Sequence, residues 1–163
     1  MPTMEEVAKQ PREQRMARLT RTADDLASAI RGRSDEALSR RPDTMNWAAK
    51  EVVCHLRDTE ELFMERFQMI LATDEPKLSG LNPDRWAEER QYLRNDVNGA
   101  LAAFRKRREE SLDFLGKLAP EAWQRAGVHA TRGKFTLEDF VILMTWHDDN
   151  HLDQLNRALE GKV

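Results

Sequence analysis

The sequence predicts an all-α protein, a single four-helix bundle that spans residues 1–163. The clusters of Val, Ile and Thr that are typical of β-strands are nearly absent, and 34% of the residues are charged. Four long segments carry apolar residues at three- and four-residue steps, which is the pattern of a helix with one buried stripe. Such helices bury their stripes most economically against one another, in a bundle.

The first two long helices are predicted over residues 13–31 and 47–72. Gly32 ends the first helix, because glycine readily adopts the left-handed conformation at a helix C-terminus. A break that contains proline precedes the second helix. Thr44 or Asn46 is then placed to cap its N-terminus.

The last two long helices are predicted over residues 96–118 and 137–159. Asn95 or Asp96 can cap the third helix, and the stretch Thr136-Leu137-Glu138-Asp139 resembles a capping box before the fourth. Short connections favour mostly antiparallel neighbours in the bundle. The one long connection, between the second and third helices, is long enough for a crossover.

This long connection, residues 73–85, exceeds the usual length of a loop between bundle helices. Loops of this length often carry function, and four residues here are candidates for a lid or pocket wall: Pro76, Leu81, Arg85 and Trp86. Trp86 is the predicted pocket residue among them. The alternative is a solvated connector in which Trp86 closes the end of the bundle.

The last helix carries two histidines, His147 and His151, one turn apart on the same face. Imidazole nitrogens bind zinc at about 2.0–2.1 Å, and this pair supplies two ligands, although a stable site needs a third. The spacing also occurs by chance on exposed helices. Here His151 lies within the apolar stripe and His147 at its edge, so both need a shared metal ion or hydrogen-bond acceptors.

A third histidine, His55, lies at the edge of the stripe of the second helix, in the same relation to Val52 as His147 to Met144. If the second and last helices are neighbours, three histidines from two helices can meet at one point. The alternative is a boundary histidine that is bonded to a neighbouring side chain. The fourth histidine, His129, lies outside any helical pattern and is predicted to be a surface residue.

Two charged residues are further candidates. Arg108 falls in the middle of the stripe of the third helix, so we expect it to be buried in an ion pair or to hold an anionic group in a pocket. Asp148, beside His147, is a candidate catalytic base or partner of a metal ligand. A His-Glu-x-x-His protease site is disfavoured, because Asp148 is shorter than glutamate and no histidine or cysteine follows His151.

Composition excludes several classes of function. A chain of 163 residues suffices for one domain, and no stretch is long and apolar enough to span a membrane. The formal charge of −3 comes from 26 basic and 29 acidic residues that are interspersed, so we expect no nucleic-acid partner. Cys54 is the only cysteine and the N-terminus lacks a secretion signal, which favours a cytoplasmic protein.

With these residues in place, the chain resembles the DinB-like (YfiT-like) superfamily of metal-binding four-helix bundles. Three segments carry the resemblance: residues 47–58 in the second helix, residues 133–139 at the entry to the last helix, and residues 147–155. The resemblance extends over nearly the whole chain. It implies a divalent metal ion, usually nickel or zinc, with one position open to water.

The resemblance assigns His55, His147 and His151 as the metal ligands. It also implies a small-molecule substrate, a homodimer and, in some relatives, a low-molecular-weight thiol such as bacillithiol or mycothiol. Three neutral imidazoles leave the ion able to lower the pKa of a bound water or thiol. We therefore expect a metal-dependent thiol transferase or hydrolase. The alternative is a non-catalytic bundle that binds a metal or a ligand without turning it over.

Overall fold

Four long helices frame the molecule in the computed structural model, which describes residues 1–163. The elements, in chain order, are α1 (Met4–Lys9), α2 (Arg12–Ile30), α3 (Asp35–Ser39), α4 (Ala49–Ala72), β1 (Lys77–Leu78), α5 (Pro83–Glu89), α6 (Val97–Gly116), β2 (Ala126–His129), β3 (Gly133–Thr136) and α7 (Leu137–Leu159). None of the helices combines the length and the apolar character that crossing a membrane requires. The predicted bundle is confirmed, and α2, α4, α6 and α7 lie within two residues of their predicted bounds.

Two of the predicted helix starts are also confirmed. Thr136 and Asp139 form a reciprocal capping box at the start of α7. Asp96 caps α6 by accepting a hydrogen bond from the Gly99 amide at 2.9 Å. Gly32 follows α2 with a φ of +72°, a left-handed conformation that glycine adopts without strain.

The start of α4 differs from the prediction. Neither Thr44 nor Asn46 caps it, because the Asp43 carboxylate accepts hydrogen bonds from the amides of Met45 and Asn46 and forms a separate turn. Residues 45–48 therefore precede the helix. The Glu51 carboxylate then accepts a hydrogen bond from the amide of Ala48, the N-cap residue, at 3.0 Å, so this buried N–H group has a partner.

Three short strands were not predicted. β1 pairs parallel to β2, and β2 and β3 form an antiparallel hairpin that leads into α7. Strands of two to four residues are too short to show an alternating pattern in the sequence. At Gly127 a Cβ atom would lie 2.6 Å from the Leu78 side chain, so the close approach of β1 and β2 requires glycine.

The order of the helices around the bundle is α2, α6, α4, α7. α4 and α7 run antiparallel, since His55 lies near His151 while Phe67 lies near Phe140. α2 and α6 are antiparallel as well. The expected antiparallel arrangement therefore holds for two of the four adjacent pairs.

The other two adjacent pairs run parallel. α4 and α6 contact each other at Arg57 and Arg107 and again, further along both helices, at Phe67 and Phe114. The long connection between them, residues 73–96, is the crossover that returns the chain to the same end of the bundle. α2 and α7 also run parallel. Arg12 lies beside Glu138 near the start of both helices, and Arg18 lies beside Asp149 further along both.

The apolar core has two parts, one toward each end of the bundle. In α4, the apolar residues between positions 49 and 56 belong to the first part, and Phe63, Phe67 and Ile70 belong to the second. Between them lies a layer of buried polar side chains: Thr22, Glu60, Arg108, Ser111, Thr145 and Asp148. His147 directly precedes Asp148 of this layer, so the apolar core is interrupted next to the candidate site.

Candidate metal centre

α4 and α7 bring three histidines together where the two helices cross. His55 comes from α4, and His147 and His151 come from successive turns of α7. Their ligand nitrogens all lie within 4.8 Å of one another, and the Nε2 atoms of His55 and His147 are 3.1 Å apart. The three side chains therefore converge on a single point.

Aromatic side chains hold the rings in place. The Trp47 ring centroid is 5.0 Å from that of His55 and 6.4 Å from that of His151. Phe63 packs at 87° to His147, with 5.8 Å between the ring centroids. Apolar packing thus orients the imidazoles before any ion binds.

The second ring nitrogens of the histidines differ in their partners. His151 Nδ1 lies 2.8 Å from the side-chain oxygen of Gln154, which accepts a hydrogen bond from the Nδ1–H group and leaves Nε2 with a free lone pair. The Nδ1 atoms of His55 and His147 are buried without a hydrogen-bond partner. A metal-binding histidine normally donates its second N–H to a partner, so the protein fixes the tautomer of His151 alone.

Burial keeps the three imidazoles neutral at physiological pH. It lowers the pKa of His55 to about 3, with a smaller contribution from His151. Burial, and then the neighbouring histidines, lower the pKa of His147 well below its ordinary value. Burial also lowers the pKa of His151, against the opposing effect of Gln154. The neutral imidazole is the form that binds a metal ion.

The geometry fits one divalent ion. Two nitrogens that bind an ion at about 2.0–2.1 Å, at tetrahedral or octahedral angles, lie roughly 2.9–3.4 Å apart. The 3.1 Å between Nε2 of His55 and Nε2 of His147 falls within this range. A set of neutral imidazoles suits zinc and nickel among the common metals.

The histidines form one wall of a cavity of about 570 Å³, a volume typical of small-molecule sites. Side chains on one face of α4, three to four residues apart, line it: His55, Thr59, Leu62 and Arg66. This spacing is visible in the sequence. It was the signal that could have identified Arg66, three turns after His55, as a site residue.

Two segments outside the long helices also line the cavity, besides residues 45–47. The long connection contributes Leu81, as predicted, together with Gly80, Pro83 and Asp84. The β2–β3 hairpin contributes His129, Thr131 and Arg132. The pairing of β2 with β3 brings the hairpin residues to the site, and the sequence did not predict this pairing.

The sequence model of the DinB superfamily matches residues 18–155, a range that includes all three histidines and the four long helices apart from their outer ends. The chain belongs to the DinB superfamily. The resemblance seen in the sequence is thereby confirmed.

Two proteins show what this DinB-superfamily chain is similar to. A protein of Oceanobacillus iheyensis named "Putative metal-dependent hydrolase" is 24% identical over 140 residues, which cover 83% of this chain and 78% of that protein. YfiT of Bacillus subtilis, described as "a probable metal-dependent hydrolase with an unusual four-helix bundle topology", matches with a TM-score of 0.84 and 21% identity. The match covers 97% of this chain and 88% of YfiT, and at this identity it establishes the fold.

His129, which the sequence predicted to be a surface residue outside the metal centre, is partly exposed in a surface hairpin. His129 is half-buried at the end of β2, and its Nδ1 accepts hydrogen bonds from the amides of Thr131 and Arg132. It therefore stabilises the hairpin turn. Its ring also lines the cavity, but it is not part of the histidine cluster.

The prediction that Arg108 is buried and paired is confirmed. The residue is 2% exposed, and its guanidinium donates two hydrogen bonds to Glu60 and binds both carboxylate oxygens of Asp148. The proposed pocket role does not hold, because Arg108 does not line the cavity. Its donors are turned into the core instead.

Asp148 is also misplaced for the predicted catalytic role. It is fully buried, and its oxygens accept hydrogen bonds from Arg108 and from the Thr22 hydroxyl. Asp148 follows His147 on α7, so its side chain points about 100° around the helix axis from that of His147 and away from the cavity. Asp148 therefore belongs to the buried polar layer.

Trp86, the predicted pocket residue, lies outside the cavity as well. Its ring packs on the apolar core, and the guanidinium of Arg90 lies over it at 3.8 Å. The alternative interpretation, in which Trp86 closes the bundle, describes its position. Pro76 and Arg85 also do not line the cavity.

Proposed function

We propose that this protein is a metal-dependent hydrolase that acts on a small molecule in the cavity beside His55, His147 and His151. One observation carries the proposal: three neutral imidazoles converge at the wall of a cavity of about 570 Å³. The donor set supplies three ligands, which leaves positions for water and substrate, as in catalytic rather than closed structural sites. The names of the two relatives support the same class of reaction.

The roles of the residues follow from their contacts. A divalent ion held by His55, His147 and His151 would supply Lewis acidity to a bound water and to the bond to be broken. Gln154 holds His151 in the tautomer that offers Nε2. Trp47 and Phe63 pack against the histidine rings and hold them in place. Nickel and zinc are the first ions to test.

Transfer of a low-molecular-weight thiol is the second candidate, because the same centre could lower the pKa of a thiol. Cys54 cannot serve as that thiol. It is fully buried beside Tyr92, and burial raises its pKa to about 11. A thiol co-substrate would have to enter the cavity from solution.

The proposal is tested with untagged protein that is stripped by a chelator and reloaded with zinc or nickel. It is assayed against a panel of small carboxylic, amide and phosphate esters, with and without added thiol. We expect hydrolysis of at least one substrate by the reloaded protein and none by the stripped protein. A thioether product instead of a hydrolysis product would identify a transferase.

The substitution His55→Ala should abolish the metal-restored activity. The exposed residue Gln68 lies on the same helix, and Gln68→Ala is the matched control that should retain it. Hydrolysis that survives both chelation and His55→Ala would contradict the proposal. So would a reloaded protein that turns over nothing in the panel while holding its ion in a closed site.

A further inference from the structure

The wall of the cavity that faces the histidines is basic. Arg66 and Arg132 line it together with His129, and Asp84 is its single carboxylate. Asp84 also borders a neighbouring cavity that contains Arg41, and it is exposed. The whole chain carries a formal charge of −3, so this concentration of positive charge runs against its average composition.

Arg66 is a buried cation without a counter-ion. Its residue is 6% exposed, and no carboxylate forms an ion pair with it. Its one hydrogen bond is donated to the Ser79 carbonyl, which uses one of five N–H groups. Burial lowers the pKa of Arg66, with an opposing effect of Glu65. An unpaired buried charge is costly in a protein that holds nothing to offset it.

Arg132 lacks a carboxylate partner as well. It lies in the β2–β3 turn, where its guanidinium contacts the Met4 sulfur at 3.8 Å and the face of Phe135 at 5.8 Å. Neither contact neutralises its charge. Elsewhere in the molecule arginines are commonly paired, as in the bonds of Arg108 to Glu60 and Asp148.

The two arginines and the three histidines line the same cavity. The positive charges and the histidine cluster therefore border one shared space. In the same cavity, Leu62, Phe63 and Trp146 provide apolar surface.

We propose that the cavity binds a substrate that carries a carboxylate or phosphate group, which Arg66 and Arg132 hold while the reacting group lies at the histidine cluster. The inference rests on the proposed function, whose substrate class it names. Guanidinium groups recognise such oxyanions through paired charge-assisted hydrogen bonds. Binding of the anion would supply the counter-ion that Arg66 lacks.

Matched pairs of hydroxamates test this inference on the zinc-loaded, untagged protein. Butyrohydroxamate carries a metal-binding group and a neutral tail. The monohydroxamates of succinate, glutarate and adipate carry the same group and a carboxylate at increasing distance, and phosphonoacetohydroxamate carries a phosphonate. Isothermal titration measures each affinity. At least one anionic probe should bind about 10- to 100-fold more tightly than butyrohydroxamate.

Substitutions locate the source of that preference. Arg66→Gln and Arg132→Gln should each remove most of it while leaving the affinity for butyrohydroxamate unchanged. Arg66→Lys, which keeps the charge without the planar fork, should retain part of it. Arg21 is exposed on α2, away from the cavity, and Arg21→Gln is the control that should retain all of it. If Arg66→Gln fails to fold, Arg132→Gln alone tests the inference, because Arg132 lies in an exposed turn where the substitution should not affect folding.

The outcomes separate the two proposals. Equal binding of neutral and anionic probes, within about 2-fold, would overturn the inference alone. So would an anion preference that persists in both Arg66→Gln and Arg132→Gln. Failure of every hydroxamate to bind the zinc-loaded protein would overturn the proposed function and the inference with it.

Discussion

Two polar groups adjoin each other in this bundle at His147 and Asp148, and they differ in how completely they are paired. Arg108 donates to both oxygens of Glu60, both oxygens of Asp148 and the Leu19 carbonyl. The histidine cluster leaves the Nδ1 atoms of two rings without partners and places two Nε2 atoms 3.1 Å apart. The first group is complete within the protein, and the second is not.

The difference indicates which buried polar residues stabilise the fold and which are available to bind a ligand. A buried ion pair with all its donors and acceptors used cannot bind anything else, and it fixes which helices adjoin. A cluster whose Nε2 atoms converge at a cavity wall, with no carboxylate or other protein group paired to them, can bind a ligand there. The same distinction applies to arginines, since Arg108 is fully paired whereas Arg66 has a single carbonyl partner.

Removal of the cation from the paired group should have the largest effect on stability. Arg108→Met leaves the carboxylates of Glu60 and Asp148 buried without a counter-ion, which should lower the free energy of unfolding by about 3–5 kcal/mol. Urea denaturation measures the loss. Arg105→Met, three residues earlier in an exposed ion pair with Asp24, is the control and should cost less than about 1 kcal/mol. A small loss for Arg108→Met would show that the paired group is dispensable.

The histidine cluster should respond to acid in the metal-free protein. The folded state keeps the imidazoles neutral, with the pKa of His55 lowered to about 3, while in the unfolded chain histidines bind protons below about pH 6.5. Stability is therefore full above this pH and falls as the pH drops. Between pH 7.5 and 5.5 each histidine should contribute a loss of at most about 1.4 kcal/mol.

Urea denaturation of chelator-treated protein at these two pH values provides the measurement. The variant His55→Asn, which cannot titrate at that position, should show a smaller difference between the two. Equal stability of the wild type at pH 7.5 and 5.5 would mean that the imidazoles take up protons without unfolding and are not buried.

The hydrogen bond between Gln154 and His151 should have a moderate effect on metal affinity. Gln154→Leu keeps the volume but removes the acceptor that fixes the tautomer of His151, so the affinity should fall about 10-fold. Titration with zinc under competition by a chelator measures it. Gln14→Leu, on the exposed face of α2, should leave the affinity unchanged. Equal affinities in the two variants would show that packing alone orients His151.

The smallest effect is expected at His129. It lines the cavity but binds the amides of the hairpin turn, so His129→Ala should reduce the stability of the turn and leave the metal affinity unchanged. The same zinc titration checks this. A 10-fold loss of affinity would make His129 part of the metal centre and would remove the distinction between the cluster and the cavity wall.

The sequence predicted what depends on helical periodicity. The bounds of α2, α4, α6 and α7, the burial of Arg108 and the placement of His55 at a stripe edge all follow from the 3.6-residue repeat. The repeat also predicts which residues share a helix face, so Arg66 could have been identified as a cavity residue on the face of His55. The same periodicity could have predicted that Asp148, one position after His147, points away from the histidine cluster.

The rest of the site depends on contacts between distant parts of the chain. Strands of two to four residues carry too little pattern to reveal the hairpin that brings Arg132 to the cavity. Whether α4 and α6 run parallel is decided by how the 24 residues of their connection pack, which periodicity does not encode. Trp86 was predicted to be a pocket residue because it lies in that connection. Its neighbours Leu81 and Asp84 line the cavity, but Trp86 does not.

The most direct test of the central claim is the metal affinity of the histidine variants. Untagged wild-type protein, His55→Ala, His147→Ala and His151→Ala are titrated with zinc and with nickel under identical conditions. Because each imidazole supplies one of three ligands, each substitution should weaken the affinity by about 100-fold or more, while the helical circular dichroism is retained. Wild-type affinity in His55→Ala would show that α4 contributes no ligand, and the account of a three-histidine metal centre would be wrong.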